Sequence, residues 1–333
     1  MGALRVIEAG PMTSVQDLGR PGFAASGVAR SGAADTLSLR IGNRLLGNDE
    51  NAAALELTLV GGLFRFESPT LICLAGTPAP GACIFSGDRP RPLEPWRPAP
   101  VGAGERVRIG RLAGGARSYL CLAGGVRTEP VLGSRSTHPA GGLGNPGRPL
   151  RPGDHVETGD PAPGLTVTSL AGAPRAEAER RLARRTLRVV PGAHHPVFDH
   201  AAVHALTRAD FRVHPHSDRV GLRLEGPALP TPCGGRLASE GMIPGSIQVP
   251  PGGGPIVLAT DAPTTGGYPV IACIIAADLP ALGQRAPRDG IRFEWVDRAG
   301  AIDRLRELEA FIASTGPARR AARRPGRPEG ADR

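Results

Sequence analysis

The chain contains only three glutamines, each in or beside a turn-forming run: Gln16 in TSVQDLGRPG, Gln248 in SEGMIPGSIQVPPGGGP and Gln284 after ADLPAL. Glycine lets a backbone approach a ligand closely, and amides, hydroxyls and guanidinium groups then fix the ligand's orientation. This grouping predicts one pocket for a small oxygen-rich molecule, lined by segments far apart in the chain. Histidines also cluster: His194 with His195, His200 with His204, His214 with His216. His200 and His204 would share one face of a helix and could hold zinc. No acidic residue stands between them as in H-E-x-x-H, so all six read as surface or hydrogen-bonded side chains and no metal is expected. Gly142, Gly144 and Gly147 have G-x-G-x-x-G spacing, but Pro146, Pro149 and Pro152 forbid the helix that a dinucleotide fingerprint requires. That string reads as a turn. The chain has no G-x-S-x-G nucleophile elbow.

All 40 basic residues are arginine and none is lysine. A Schiff base, a phosphate-loop lysine and a biotinylated or lipoylated lysine are therefore excluded, since each needs a primary amine. The formal charge of +9 is concentrated in residues 175–188 and 317–333, at +4 each, leaving a nearly neutral body. These stretches read as a solvated connector and tail, not as a groove following nucleic-acid phosphates. The five cysteines form no C-x-x-C pair and lie among apolar or small residues, as buried thiols in a reducing cytoplasm do. The N-terminus has no apolar signal region. The longest apolar run, Val270 to Ala277, is far shorter than the roughly 20 residues that span a bilayer. A cytoplasmic protein with no membrane or nucleic-acid partner is expected.

These residues must be positioned by short elements. Glycine and proline, 47 and 35 of 333 residues, punctuate the chain too often for long helices. Apolar runs of strand length recur, among them LRVIEAG, LELTLVGGLFRF, TLICLAG, YLCLAGG, LRVV, PIVLA and IRFEWV. Helical periodicity is confined to ADTLSLRIGNRLLG, capped by Ser31 or Asp35, to PVFDHAAVHAL and to DRAGAIDRLRELEAFIAS. LICLAG returns as LCLAGG, and LRVIEAG followed by VQD returns as LRVVPGA followed by VFD. The second echo marks a new unit near Leu187. The expectation is a mainly β protein: a barrel-like domain over 1–165, a second over 186–315, and a basic disordered tail over 316–333.

The polar runs also carry a family resemblance. GPMTSVQDLGRPGFAASGVARSGAAD, NRLLGNDENAAALELT, YLCLAGGVRTEPVLGSRST, GRPLRPGD, SDRVGLRLEG, SEGMIPGSIQVPPGGGPIVL and TDAPTTGGYPVIA resemble, in order from residue 4 to 297, the blocks of the biotin-dependent carboxyltransferase family. That family includes the C subunit of bacterial 5-oxoprolinase, also known as allophanate hydrolase subunit 2, and the second half of the urea carboxylase carboxyltransferase domain. The resemblance implies tandem barrel-like domains related to the cyclophilin-like fold. It also implies a partner, the homologous B subunit of the same enzyme. A lactam-utilisation protein, the enzyme's A subunit, or a biotin carrier and carboxylase would complete the assembly. Three positions depart from the family pattern: Pro263 where a glutamine is common, Val270 where a basic residue is common, and PGAHH in place of a PGPQ-like turn.

Such chemistry, ATP-dependent opening of a lactam or carboxyl transfer to a urea or amide nitrogen, needs anion holders, oxyanion donors and a proton relay. Carried onto this chain, the resemblance implies Arg135 and Arg219 as anion holders, backed by Arg20 and Arg148. Gln248, Thr264, Thr265 and Tyr268 orient the substrate, with Gln16 beside Asp17 in the first block. Glu240 and Asp261 are the candidate proton relays, with Asp17 third. ATP, bound here or by a partner, or carboxybiotin presented in trans would be the cofactor. The alternative is a non-catalytic regulator that sequesters the homologous partner, as antagonists of a kinase inhibitor do.

Overall fold

The computed structural model describes residues 2–161 and 172–315. Its strands up to Thr158 form two sheets around one core. The six-stranded sheet runs in the order His155–Thr158, Gly2–Glu8, Leu63–Phe66, Arg106–Arg108, Cys83–Ser86, Arg89–Pro92. The five-stranded sheet runs Thr13–Gln16, Ala54–Thr58, Arg117–Leu122, Thr70–Gly76, Ala99–Val101. Period-2 alternation sends Leu4, Val6, Phe64 and Phe66 inward from the first sheet and Leu55, Leu57, Leu120 and Leu122 inward from the second. The two LCLAG-like echoes are neighbours here, with Cys73 directly opposite Cys121.

From Thr186 onward seven strands close into a barrel. Thr186–Pro191, Val270–Ile274, Ser246–Gln248, Ile256–Leu258, Gly221–Glu225, Phe211–Val213 and Gly290–Trp295 follow one another around the ring. The last pairs in parallel with the first, so no edge is left open. Leu187, Val189, Phe211, Ile247 and Phe293 fill its interior. The mainly β architecture expected from the strand pattern is therefore present. The N-terminal half encloses its core between two sheets, and the C-terminal half is a closed ring. LRVIEAG and LRVVPGA each supply the first strand of a half, but VQD begins within the strand Thr13–Gln16 whereas VFD begins within a short 3-10 turn, His195–Val197.

Three helices begin at aspartate caps. Asp35 accepts from the Ser38 amide at 3.0 Å, Asp199 from Ala202 at 2.7 Å and Asp297 from Gly300 at 2.7 Å. The first helix, Thr36–Leu45, lies on the outer face of the five-stranded sheet and buries Leu37, Ile41 and Leu45 against Cys73, Tyr119 and Cys121. Leu308 and Ile312 of the C-terminal helix, Arg298–Ser314, return to this same cluster. Arg40 holds Glu309 through two 2.7 Å hydrogen bonds, tying that helix to the first.

The arginine-rich connector is not the solvated strap that its charge suggests. Residues Gly172–Ala183 form a helix whose Ala178 and Leu182, four apart, are buried in the same cluster. Its charges are neutralised locally, Arg175 by Glu179 and Arg181 by Glu177, and the Arg181 guanidinium stacks 5.2 Å above the Phe311 ring. Residues 162–171 of the expected boundary and the basic tail from 316 lie outside the described residues. No helix among the described residues is long and apolar enough to cross a membrane.

The halves meet closely at Gly283, where an added Cβ would stand 2.1 Å from the Ala34 carbonyl oxygen. Gly283→Ala is expected to cost roughly 2–3 kcal/mol by forcing the two halves apart. Gly290→Ala, which meets nothing within 4 Å, should stay within about 0.5 kcal/mol of wild type. Urea denaturation of both variants checks the difference.

Candidate functional site

The junction between the halves is built from charge. On the strand Ala54–Thr58, Leu55 and Leu57 point into the first core, so Glu56 points to the opposite face, beneath the barrel. There it is fully buried and accepts from Tyr119 Oη at 2.6 Å, from the Ala34 amide at 3.0 Å and from Arg219 Nη1. Arg219 comes from the other half. Its Nε lies 2.8 Å from Asp261, and its Nη2 donates to the Gly32 carbonyl at 2.7 Å. Ser31, at φ 54°, places Oγ 2.8 Å from Asp261 Oδ1. Burial opposes ionisation of Glu56, but Arg219 and then Arg117 overcome it and hold the carboxyl below its usual range. Gln284 completes the junction: its amide donates to Asp35 Oδ2 at 2.6 Å and accepts from the Arg117 amide and from Thr77 Oγ1, each at 2.9 Å. Beside this cluster lies a cavity of about 290 Å³, with Ser31, Arg219 and Thr260 on its polar side and Leu258, Leu279 and Leu308 on its apolar side.

The expected residues of the N-terminal half gather around a second loop. Asp17 is a clamp: its carboxylate takes the Gly19 amide at 2.8 Å, the Arg135 amide at 2.7 Å and the hydroxyls of Ser134 and Ser136. Gln16 donates to Ser14 Oγ and the Thr137 carbonyl, each at 3.0 Å, while its buried Oε1 has no partner among the described residues. Arg20 is buried and donates to the Ser136 carbonyl, and its Nη1 likewise has no partner among the described residues. Burial lowers the Arg20 pKa, against the attraction of Asp17 and Asp261. The Arg135 side chain reaches a separate cavity of about 460 Å³, shared with Asn48, Asn51, Gly124 and Arg127. Arg148 forms a two-point pair with Asp154, both contacts at 2.8 Å. The G-x-G-x-x-G string belongs to the turn after this loop.

The remaining expected residues lie on the barrel. A two-stranded ribbon pairs Glu240 with Gly266 and Gly241 with Thr265, and the Met242 amide donates to the Thr264 carbonyl at 2.8 Å. Gln248, on the neighbouring barrel strand, is buried and points its Nε2 at Met242 Sδ, 3.5 Å away, a weak acceptor. A Cβ at position 266 would stand 2.7 Å from Gln248 Nε2 and displace that side chain. Glu240 and Tyr268 are exposed. His194 Nε2 lies 3.4 Å from Glu240 Oε2.

The junction and the N-terminal loop adjoin: Ser31 Oγ lies 2.8 Å from Asp261 Oδ1 and 3.2 Å from the Thr137 carbonyl, the same carbonyl that Gln16 bonds. Arg135 lines its own cavity, Glu240 and Thr265 share the ribbon with Gln248 against it, and Arg148 is paired with Asp154. Sequence reasoning missed Glu56, Arg117, Tyr119 and His194. The alternation of ALELT signals that Glu56 leaves the first core but not that a second half covers it.

Residues 26–295 match the family described as carboxyltransferase domain, subdomain A and B. The chain belongs to that family. It is 41% identical to the 5-oxoprolinase C subunit of Escherichia coli over 283 residues, 84% of this chain and 87% of that protein. It is 33% identical to the 5-oxoprolinase C subunit of Haemophilus influenzae, covering 92% and 96%. The crystal structure of Kluyveromyces lactis urea carboxylase superposes with a TM-score of 0.83 at 27% identity, covering 95% of this chain and 30% of that one. Kluyveromyces lactis urea amidolyase superposes at 0.80 with 28% identity, and there this chain covers 93% of its own length but only 20% of the other. The junction residues from Ser31 to Gln284 fall within the matched stretch.

Two outcomes follow for the junction. Glu56→Gln leaves Arg219 and Arg117 without their shared carboxylate and is expected to cost roughly 3–5 kcal/mol, with a smaller added loss when Arg219→Met is combined with it. Denaturation of the single and double variants measures this. Asp35 gives a pH dependence of definite sign. Burial pushes its carboxyl up to about 6 from 3.8, against hydrogen bonds from Ser38 and Gln284 and with added repulsion from Glu56. The folded form therefore prefers the protonated acid. Its contribution is complete below about pH 3.8 and is lost as pH rises through 6, roughly 2–3 kcal/mol in all. Glu56 has the opposite sign and acts below its ordinary range. Stability should fall between about pH 3.8 and 6, and Asp35→Asn should flatten that decline in denaturation curves taken across this range.

Proposed function

We propose that this chain is the C subunit of a 5-oxoprolinase-like enzyme, working with the homologous B subunit, together with a lactam-utilisation protein as the A subunit, in ATP-dependent opening of 5-oxoproline to glutamate. The observation that carries this reading is the near-full-length likeness to two 5-oxoprolinase C subunits. Carboxyl transfer to a urea or amide nitrogen is the second reading, supported by the likeness to urea carboxylase and drawing on carboxybiotin presented in trans. Both act on a carbonyl conjugated to nitrogen, whose poor electrophilicity or nucleophilicity demands the same assistance.

The ribbon supports this chemistry best, because its groups are not consumed by internal ion pairs. In lactam opening, water oxygen bonds to the ring carbonyl carbon, the carbon–nitrogen bond breaks, and the released nitrogen gains a proton. Gln248, whose amide has only a thioether partner for Nε2, would donate to the carbonyl oxygen as negative charge develops there. Thr264, Thr265 and Tyr268 would orient the ring. Glu240, exposed beside them, would take the proton from water and return it to nitrogen. Arg219 and Asp261 act through the junction instead, since their charges satisfy one another. Arg135 with Arg127 is the pair that would hold a carboxylate or phosphate in the N-terminal half, with Gln16, Asp17 and Arg20 fixing the loop that carries Arg135. Bound ATP would supply the activation that drives ring opening. Ile243, 61% exposed, and Tyr268 offer apolar surface that the B subunit would cover.

The test is a complex co-purified with homologues of the A and B subunits and supplied with 5-oxoproline and ATP. Glutamate formation is expected, and Gln248→Ala should lower kcat by about 100-fold while leaving the complex assembled. A wild-type complex that neither opens 5-oxoproline nor carboxylates a panel of amides would remove the enzyme reading.

A further inference from the structure

The roles assigned above leave out His194, whose backbone and ring are both hydrogen-bonded to the barrel. The segment carrying it is stitched to the barrel strand Val270–Ile274: the Gly192 amide donates to the Ile271 carbonyl and the His194 amide to the Val270 carbonyl, each at 3.1 Å. Gly192 sits so close that a Cβ would stand 2.5 Å from the Val270 oxygen. On the other side, His195 packs edge-on against Trp295 with ring centroids 5.3 Å apart.

The ring is then held by a third contact, from the Val270 amide to His194 Nδ1 at 3.1 Å. A backbone N–H can only donate, so Nδ1 must present its lone pair and the neutral ring must carry its proton on Nε2. Nε2 is the atom that faces Glu240 Oε2 at 3.4 Å. Glu240 needs such a partner. It stands on a ribbon of two paired residues and is 54% exposed, against 14% for His194.

We propose that His194 is a positioning residue for Glu240: its fixed Nε2–H engages one carboxylate oxygen and turns the other toward the proton that Glu240 moves. Nδ1 is blocked by the backbone, so His194 does not itself act as the base. The inference rests on the reading of Glu240 as the proton relay, but its first test does not require turnover.

That test is long-range proton–nitrogen spectroscopy of the intact chain labelled at histidine, with the His194 ring assigned by its disappearance in His194→Gln. The expected result is an Nε2–H tautomer whose Nε2 resonance moves in Glu240→Ala while Nδ1 keeps the signature of an acceptor. An Nδ1–H tautomer, or a ring unchanged by Glu240→Ala, overturns the proposal. In the assembled enzyme, His194→Ala should lower kcat about tenfold or more with KM within about twofold. His194→Gln, which offers an acceptor and a donor at the same two positions, should recover most of the loss. Unchanged kcat in His194→Ala, or no recovery in His194→Gln, overturns positioning. A wild-type complex without turnover counts against the enzyme reading alone, and the spectra then decide the His194–Glu240 pairing.

Discussion

The two halves of this molecule meet on a set of buried charges. Glu56, Arg219 and Asp261 are all buried, and they come from different halves of the chain. Desolvating such groups costs several kcal/mol for each ion, a cost offset only when geometry and hydrogen bonding are close to complete. That requirement dictates the surroundings: Tyr119 and the Ala34 amide complete Glu56, the Gly32 carbonyl completes Arg219, and Ser31 adopts a left-handed backbone to reach Asp261. Two halves with separate apolar cores are thereby held in one relative orientation by polar groups, with the shared cluster of Leu37, Leu182 and Leu308 alongside.

The junction draws most of its charge into internal pairing. Arg219, an anion holder by residue type, commits four of its five N–H groups to Glu56, Asp261 and a carbonyl. Asp17 and Arg148 are committed in the same way, one to two amides and two hydroxyls, the other to Asp154. What remains available is a weakly satisfied amide at Gln248, an exposed carboxylate at Glu240, hydroxyls on the ribbon, and the arginines of the N-terminal cavity. Hydrogen-bond capacity, not residue type alone, is what sets these groups apart.

Sequence patterns made the strands, the three aspartate-capped helices and the restart near Leu187 legible, because each has a local cause: alternation, a cap, a turn residue. They also picked out Gln16 and Gln284, which prove to be held among polar groups, and Gln248, whose Nε2 meets a thioether instead. What they could not convey was which face of a strand a second half would cover. Glu56 in ALELT was not singled out and the arginines of the connector read as solvated, because alternation and charge describe one element at a time.

The absence of lysine fits this division. At the junction one side chain must bridge Glu56 in one half to Asp261 in the other while also bonding the Gly32 carbonyl. A planar guanidinium with five donors in a fixed fork does this and keeps its charge when buried. An ammonium would offer three donors from a single point and would lose its proton more readily on burial. Burial beside two carboxylates raises the Arg219 pKa in spite of desolvation, so its charge is permanent over any pH at which the protein folds. The junction thus keeps its charges over that range, while Glu240 on the ribbon stays open to solvent.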